Sequence, residues 1–210
     1  MSTALRALIL CSILMIAASA FGQINIVNFD FGAVPVGCSN WNFTYQGATL
    51  ICTYPTKQDF NQTPGFGWML GSVVPPSGSP LSNGAGLIAG SGGPFCPPSF
   101  NGMPFNQAVF LESIGSFVWQ EVTGFTAGSY TLSFYLGGRC GWLPQTVAAL
   151  IDGNVIGTWN APLGMPFTLE TATFTVSAGG THTLEFMGTN VGDATAFLSY
   201  VTIAPTDGAP

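Results

Sequence analysis

From residue 107 onward the chain alternates between apolar and polar positions. Tyr130, Leu132, Phe134 and Leu136 are separated by Thr131, Ser133 and Tyr135. Successive side chains of an extended strand point to opposite faces, so this spacing predicts a strand with one buried and one weakly polar face. Ala172, Phe174 and Val176 alternate with Thr171, Thr173 and Thr175 in the same way, as do Leu184 and Phe186 with Thr183 and Glu185. Turn chemistry separates these runs: Thr126-Ala127-Gly128, Asp152-Gly153 and Ala178-Gly179-Gly180. Asp and Gly tolerate the positive φ of a two-residue hairpin, so Asp152-Gly153 between residues 147–151 and 155–159 predicts a hairpin. Strands of this length and spacing, with no helical segment, define an all-β antiparallel sandwich or barrel.

The first half is less regular. Residues 24–31 read as an opening strand, 41–45 and 48–54 as a pair, and 84–90 as a short buried strand. Between them lie Gly- and Pro-rich loops, notably 74–80 and 90–104. Long loops in a compact domain are functional or disordered, and the loops here hold Phe66, Trp68, Phe95 and Phe100, which favours packing or binding. Trp41, Trp119 and Trp159 fall in strand-like segments and read as core.

Composition narrows the picture. Hydrophobic residues make up 47% and charged residues 6%, which excludes the disordered class. With 3 Lys+Arg against 9 Asp+Glu, the chain cannot decorate several amphipathic helices. The net charge of -6 removes the electrostatic attraction that nucleic acid or anionic lipid needs, so neither partner is expected. Residues 1–20 carry Arg6, an apolar run over 7–18 and a small-x-small ending at Ala18-Ser19-Ala20, the pattern of a secretory signal peptide. The expected organisation is a signal over 1–20, one β-sandwich domain over 21–205 and a short tail over 206–210, with no membrane anchor. The mature protein is then extracellular, or periplasmic in a bacterial source.

Of five cysteines, Cys11 leaves with the signal, and Cys38, Cys52, Cys96 and Cys140 remain at spacings of 14, 44 and 44. No C-x2-C pair and a single His (His182) argue against zinc, whereas an even count in an oxidising compartment argues for two disulfides. Three pairings are allowed; Cys38 with Cys52 and Cys96 with Cys140 is preferred. The first clips a local strand-loop-strand, and the second ties a Pro-rich loop to the loop after a central strand.

Residues 107–203 resemble the galactose-binding-like jelly-roll modules found in carbohydrate-binding domains and in DUF642-type cell-wall proteins. The resemblance rests on Ala127-Gly128-Ser129-Tyr130-Thr131-Leu132-Ser133-Phe134, on 147–157 with Ile151-Asp152-Gly153, on Phe174-Thr175-Val176-Ser177-Ala178-Gly179, on 181–186 and on 196–203; Asn28-Phe29-Asp30-Phe31 is similar to the opening strand of that group. It implies a jelly roll with long Gly/Pro-rich loops and a glycan or polysaccharide as partner. Members often hold a structural calcium between the first strand and an acidic pair in the last. Here Asp30 offers a ligand, but Ser199-Tyr200 stands where acids are expected and Asp193 is the only nearby carboxylate, so no cofactor is predicted.

Three functional readings compete. A glycosidase needs two facing carboxylates, and the candidates Glu112, Glu121, Asp152, Glu170, Glu185 and Asp193 are scattered along the sequence without a motif. Nucleophilic catalysis lacks a Gly-x-Ser-x-Gly elbow, and His182, after a Gly-Gly turn, reads as a capping or packing residue. Sugar binding needs flat aromatic faces beside planar polar groups, and residues 137–145 hold Arg139, Trp142 and Gln145 next to Cys140. An Arg stacked on Trp142 as a cation-π pair is the alternative use of that loop. The sequence therefore predicts a non-catalytic carbohydrate-binding module with Arg139, Trp142, Gln145, Trp68 and Phe95 as ligand-binding residues. A self-associating structural or adhesive protein is the alternative.

Overall fold

The computed structural model describes residues 23–33, 43–45, 48–50, 66–72, 84–89 and 96–206. The described residues contain twelve strands and no helix: β1 (Phe43–Tyr45), β2 (Ala48–Leu50), β3 (Met69–Ser72), β4 (Gly84–Ala89), β5 (Gln107–Glu112), β6 (Ser116–Phe125), β7 (Gly128–Gly138), β8 (Gln145–Ile151), β9 (Asn154–Ala161), β10 (Thr168–Val176), β11 (Gly180–Gly188) and β12 (Thr195–Pro205). Apart from the small β1-β2 pair, they form two five-stranded antiparallel sheets, ordered β10-β7-β12-β5-β4 and β3-β6-β11-β8-β9. The all-β sandwich expected from the alternation is the fold observed. The hairpin at Asp152-Gly153 joins β8 to β9 with positive φ at both residues, 49° and 76°.

The core lies between the sheets. Leu132, Phe134 and Leu136 of β7 and Leu198 and Val201 of β12 meet Val118 and Val122 of β6 and Leu184 and Phe186 of β11. Phe134 sits edge-on to both Phe186 and Trp159, at 4.9 Å in each case. Tyr130 closes the turn before β7: its hydroxyl donates to the Thr126 carbonyl at 2.8 Å and accepts from the Thr126 N–H at 2.9 Å.

A second apolar layer covers the outer face of the β10-β7-β12-β5-β4 sheet. Phe105 and Phe167 pack on Ile88, Phe110 and Phe197, with Phe100 and Met103 beside them. The Phe105 ring lies 5.0 Å from Phe167 and 5.5 Å from Tyr135. The described part of the Gly/Pro-rich loop, from residue 96, is thus a roof over one sheet. The Cys96–Cys140 disulfide ties its start to the end of β7, as the preferred pairing predicts; Cys38 and Cys52 lie outside the described residues, as does the signal over 1–20.

Three sequence readings are corrected here. Residues 24–31 are not a strand: after an isolated bridge between Asn25 and Thr123 the chain turns, with positive φ at Asn28 and Phe31. Side chains replace the ladder, since Gln120 accepts from the Val27 N–H and donates to the Val27 carbonyl, both at 2.8 Å. Trp68 is 1% exposed rather than at a binding surface, because this turn folds over it and takes its indole N–H on the Asn28 carbonyl at 3.0 Å. Trp119 is not core. Val118, Gln120 and Val122 occupy the inward positions of β6, so Phe117 and Trp119 face outward. Strand register places Met69, Trp119, Glu185, Leu150 and Val155 in one outward row and Gly71, Phe117, Met187, Ala148 and Thr158 in the next.

Candidate functional site

The end of the sandwich where β5 and β7 finish and β12 begins brings three distant charges together. Glu112, the last residue of β5, pairs with Thr195 of β12, and Gly138 of β7 pairs with the next residue, Ala196. Arg139 therefore emerges beside Glu112 and over the Asp193 loop. Its Nη1 donates to the Asp193 carboxylate and to Thr195 Oγ1 at 3.3 Å, and stands 3.9 Å from Glu112 Oε1. Arg139 is 5% exposed, so the sequence expectation of a fork reaching out to ligand is corrected: its charge is held by the protein's own carboxylate. Burial pushes Glu112 up to about 9, with donation of its proton toward Asp193 and that residue's negative charge adding to the effect and Arg139 opposing it. At neutral pH Glu112 is the protonated partner and Asp193 the counter-ion of Arg139.

Gln145 is also corrected, from ligand contact to brace. Fully buried, it donates to the carbonyls of Ala194 and Ser113 at 2.9 and 3.3 Å. It accepts from the N–H groups of Asn190 and Thr146 at 2.8 and 3.0 Å. All four amide bonds are used to hold the loops around it, leaving none for a sugar hydroxyl. Asn190 returns the bracing by donating to the Pro144 carbonyl at 2.9 Å.

Trp142 is what this framework presents to solvent. It is 45% exposed, and the Arg139 guanidinium carbon lies 5.0 Å from the ring centroid. One ring face is thereby occupied by a cation whose own position is locked by Asp193. Exposed Leu143 follows it in the chain and lies against Gly192, and Asp193, whose side chain is 39% exposed, supplies an acceptor beside Arg139. Of the five predicted ligand residues, the structure brings together Arg139, Trp142 and Gln145, places Trp68 in the core, and leaves Phe95 outside the described residues.

The carboxylates that read as scattered meet at one point: Glu112 and Asp193 both face Arg139 Nη1. Sequence reasoning missed this pair because their contact depends on the register of β5, β7 and β12. The one available signal was the scarcity of charge, which makes an Arg after a central strand demand a counter-ion. Among the described residues, no group of three or more His, Cys, Asp and Glu side chains is arranged to hold a metal ion.

A second charged pair lies elsewhere, beside a concavity of about 260 Å³ lined in part by Phe174 and Ser177. His182 Nδ1 meets Asp152 Oδ2 at 2.6 Å and Nε2 reaches the Ala178 carbonyl at 3.1 Å, while Asp152 Oδ1 accepts from the Thr183 N–H. Both ring nitrogens face acceptors, which favours imidazolium, and the capping role read for His182 fits this geometry. The hydrogen bond to Asp152 raises His182 above its ordinary 6.5, and the same bond lowers Asp152 below 3.8. The raised imidazole stabilises the fold fully below 6.5, and that contribution is lost as pH rises through its folded value. The lowered carboxylate stabilises it above 3.8, and that contribution is lost as pH falls through its folded value. The pair is thus at full strength between those two ordinary values. Because the chain has one His, its imidazole resonances report this directly. The expected NMR titration midpoint lies above 6.5 in the native chain and falls toward it in Asp152→Asn; equal midpoints would contradict the pairing.

No family model matches this sequence, and no curated protein matches it. Solved structures do. A cyclase from Fischerella sp. TAU aligns with a TM-score of 0.51 at 14% identity, over 83% of this chain and 98% of that one. The CBM22-1 xylan-binding domain of Paenibacillus barcinonensis Xyn10C aligns with a TM-score of 0.46 at 11% identity, over 71% and 92%. A family 35 carbohydrate-binding module from Clostridium thermocellum aligns with a TM-score of 0.43 at 10% identity, over 57% and 88%. Carbohydrate-binding modules recur among the structural neighbours. At such identities the likeness bears on the fold alone, an all-β sandwich of two five-stranded antiparallel sheets, and leaves the chemistry to the site.

Proposed function

We propose that the chain is a secreted, non-catalytic module that binds an extracellular or cell-wall polysaccharide through Trp142. The observation that carries this reading is the exposed Trp142 ring, braced by a buried Arg139 that Asp193 and Thr195 fix. A pyranose offers a flat face of C–H groups, and a rigid indole stacks on it with little loss of conformational entropy. Retaining glycosidases set their two carboxyls about 5 Å apart across the scissile bond, and inverting enzymes set them wider. Glu112 and Asp193 instead converge on the same Arg139 nitrogen, with Glu112 8% exposed, rather than facing each other across an open cleft. The signal-like residues 1–20 and the disulfide support secretion. The test is incubation of the mature chain with insoluble and soluble polysaccharides from acidic to neutral pH. Retention without release of reducing sugar is expected, and release abolished by Glu112→Gln would overturn it.

Association of copies is the second reading. It is favoured by the outward rows on the β3-β6-β11-β8-β9 sheet, which place Met69 beside Trp119 and Phe117 beside Met187. Sedimentation velocity decides it: an oligomer that Trp119→Ser disperses and Trp142→Ser leaves intact would establish the association.

A further inference from the structure

Resting on the glycan-binding reading, we infer that the Trp142 site takes uncharged glycans and refuses polyuronates, with Asp193 as the residue that sets this specificity. A guanidinium fork is a good carboxylate receptor, so an Arg next to Trp142 would by itself be expected to capture an acidic sugar. Three observations reverse that expectation.

First, Arg139 is 5% exposed, and its Nη1 is engaged by Asp193 and Thr195. A ligand carboxylate would have to displace a carboxylate of the protein that is already in place, and gains no net charge pairing by doing so. Second, Arg139 is the only Lys or Arg among the described residues, so no other described side chain offers a permanent cation to a polyanion. Third, the charged atoms that reach solvent beside Arg139 are those of Asp193, and the whole chain carries -6, so a polyuronate approaches like charge. A carboxylate beside an aromatic ring accepts hydrogen bonds from hydroxyl groups, and this is the complement of a neutral sugar. Asp193 therefore acts in two ways: it neutralises Arg139 from within and presents an acceptor outward.

The test uses matched probes that differ in charge and share a backbone: methyl-esterified against de-esterified homogalacturonan, xylan against glucuronoxylan, and cello-oligosaccharide against its carboxymethylated form. Isothermal titration at low salt is expected to show that, for whichever backbone is bound, the acidic member is weaker by about tenfold or more, and that the gap narrows as salt is raised. An acidic member bound as tightly as its neutral partner would overturn the inference and leave the glycan-binding reading standing. Binding of no member of any pair would overturn both. A paired substitution, Glu112→Gln with Asp193→Asn, removes both acids that face Arg139. If it folds, its affinity for the acidic probes is expected to rise about tenfold relative to the neutral ones, and a folded variant without that gain would contradict the role given to Asp193. If it does not fold, the native chain with the matched probes decides.

Discussion

Phe105→Ala is expected to cost about 3–5 kcal/mol of folding stability, the range for emptying a buried aromatic site. Phe105 is 2% exposed although it belongs to a loop, and its ring contacts Phe100, Phe167, Tyr135 and Tyr200. Those partners come from a loop, from the segment before β10, from β7 and from β12, so no single element can move to fill the hole. Chemical denaturation of the variant beside the native chain measures the loss. A cost under about 1 kcal/mol, the range for surface substitutions, would mean that the roof is only loosely laid on the sheet.

Removal of the Cys96–Cys140 disulfide is expected to have an effect of similar size. The bond closes a sequence separation of 44 residues, for which the chain-entropy account gives about 4 kcal/mol, within the usual range of roughly 2–5. It holds the first residue of the roof against the residue next to Arg139, where the Cys140 N–H also donates to the Cys96 carbonyl at 3.3 Å. Loss of the bond should therefore loosen both the roof and the Trp142 loop. Denaturation of Cys96→Ser/Cys140→Ser is expected to show a lowered midpoint, together with weaker glycan binding. Intact stability after complete reduction would contradict the latching role.

The strands from β7 onward were legible because their burial follows local alternation. Tyr130, Leu132, Phe134 and Leu136 point inward as the period-2 pattern requires, and Asp152-Gly153 makes its hairpin from chemistry contained in two residues. Other features depended on contacts between distant segments. The turn at 27–33 exists because Gln120, 93 residues from Val27, supplies the bonds a neighbouring strand would have made. Trp119 looked like core since Phe117, Val118 and Trp119 are all apolar, and a run without polar interruption does not say which of its faces is covered.

At the site the same limit applies in sharper form. The aromatic and the cation were visible as neighbours in one loop, and Trp142 does stand exposed beside Arg139. That Arg139 would be closed by Asp193, 54 residues on, follows from β12 pairing with both β5 and β7, and no local pattern encodes that register. Gln145 misled for a related reason: an amide in a loop resembles a ligand contact until its four bonds are counted.

The measurement that tests the central claim most directly is the glycan affinity of Trp142→Ala read beside its melting temperature. If the exposed ring is the stacking platform, affinity falls by about 5- to 150-fold, equivalent to the roughly 1–3 kcal/mol of a lost aromatic contact, while the melting temperature stays close to that of the native chain. A variant that melts much earlier yet binds normally, or one that keeps both its stability and its affinity, would contradict the account.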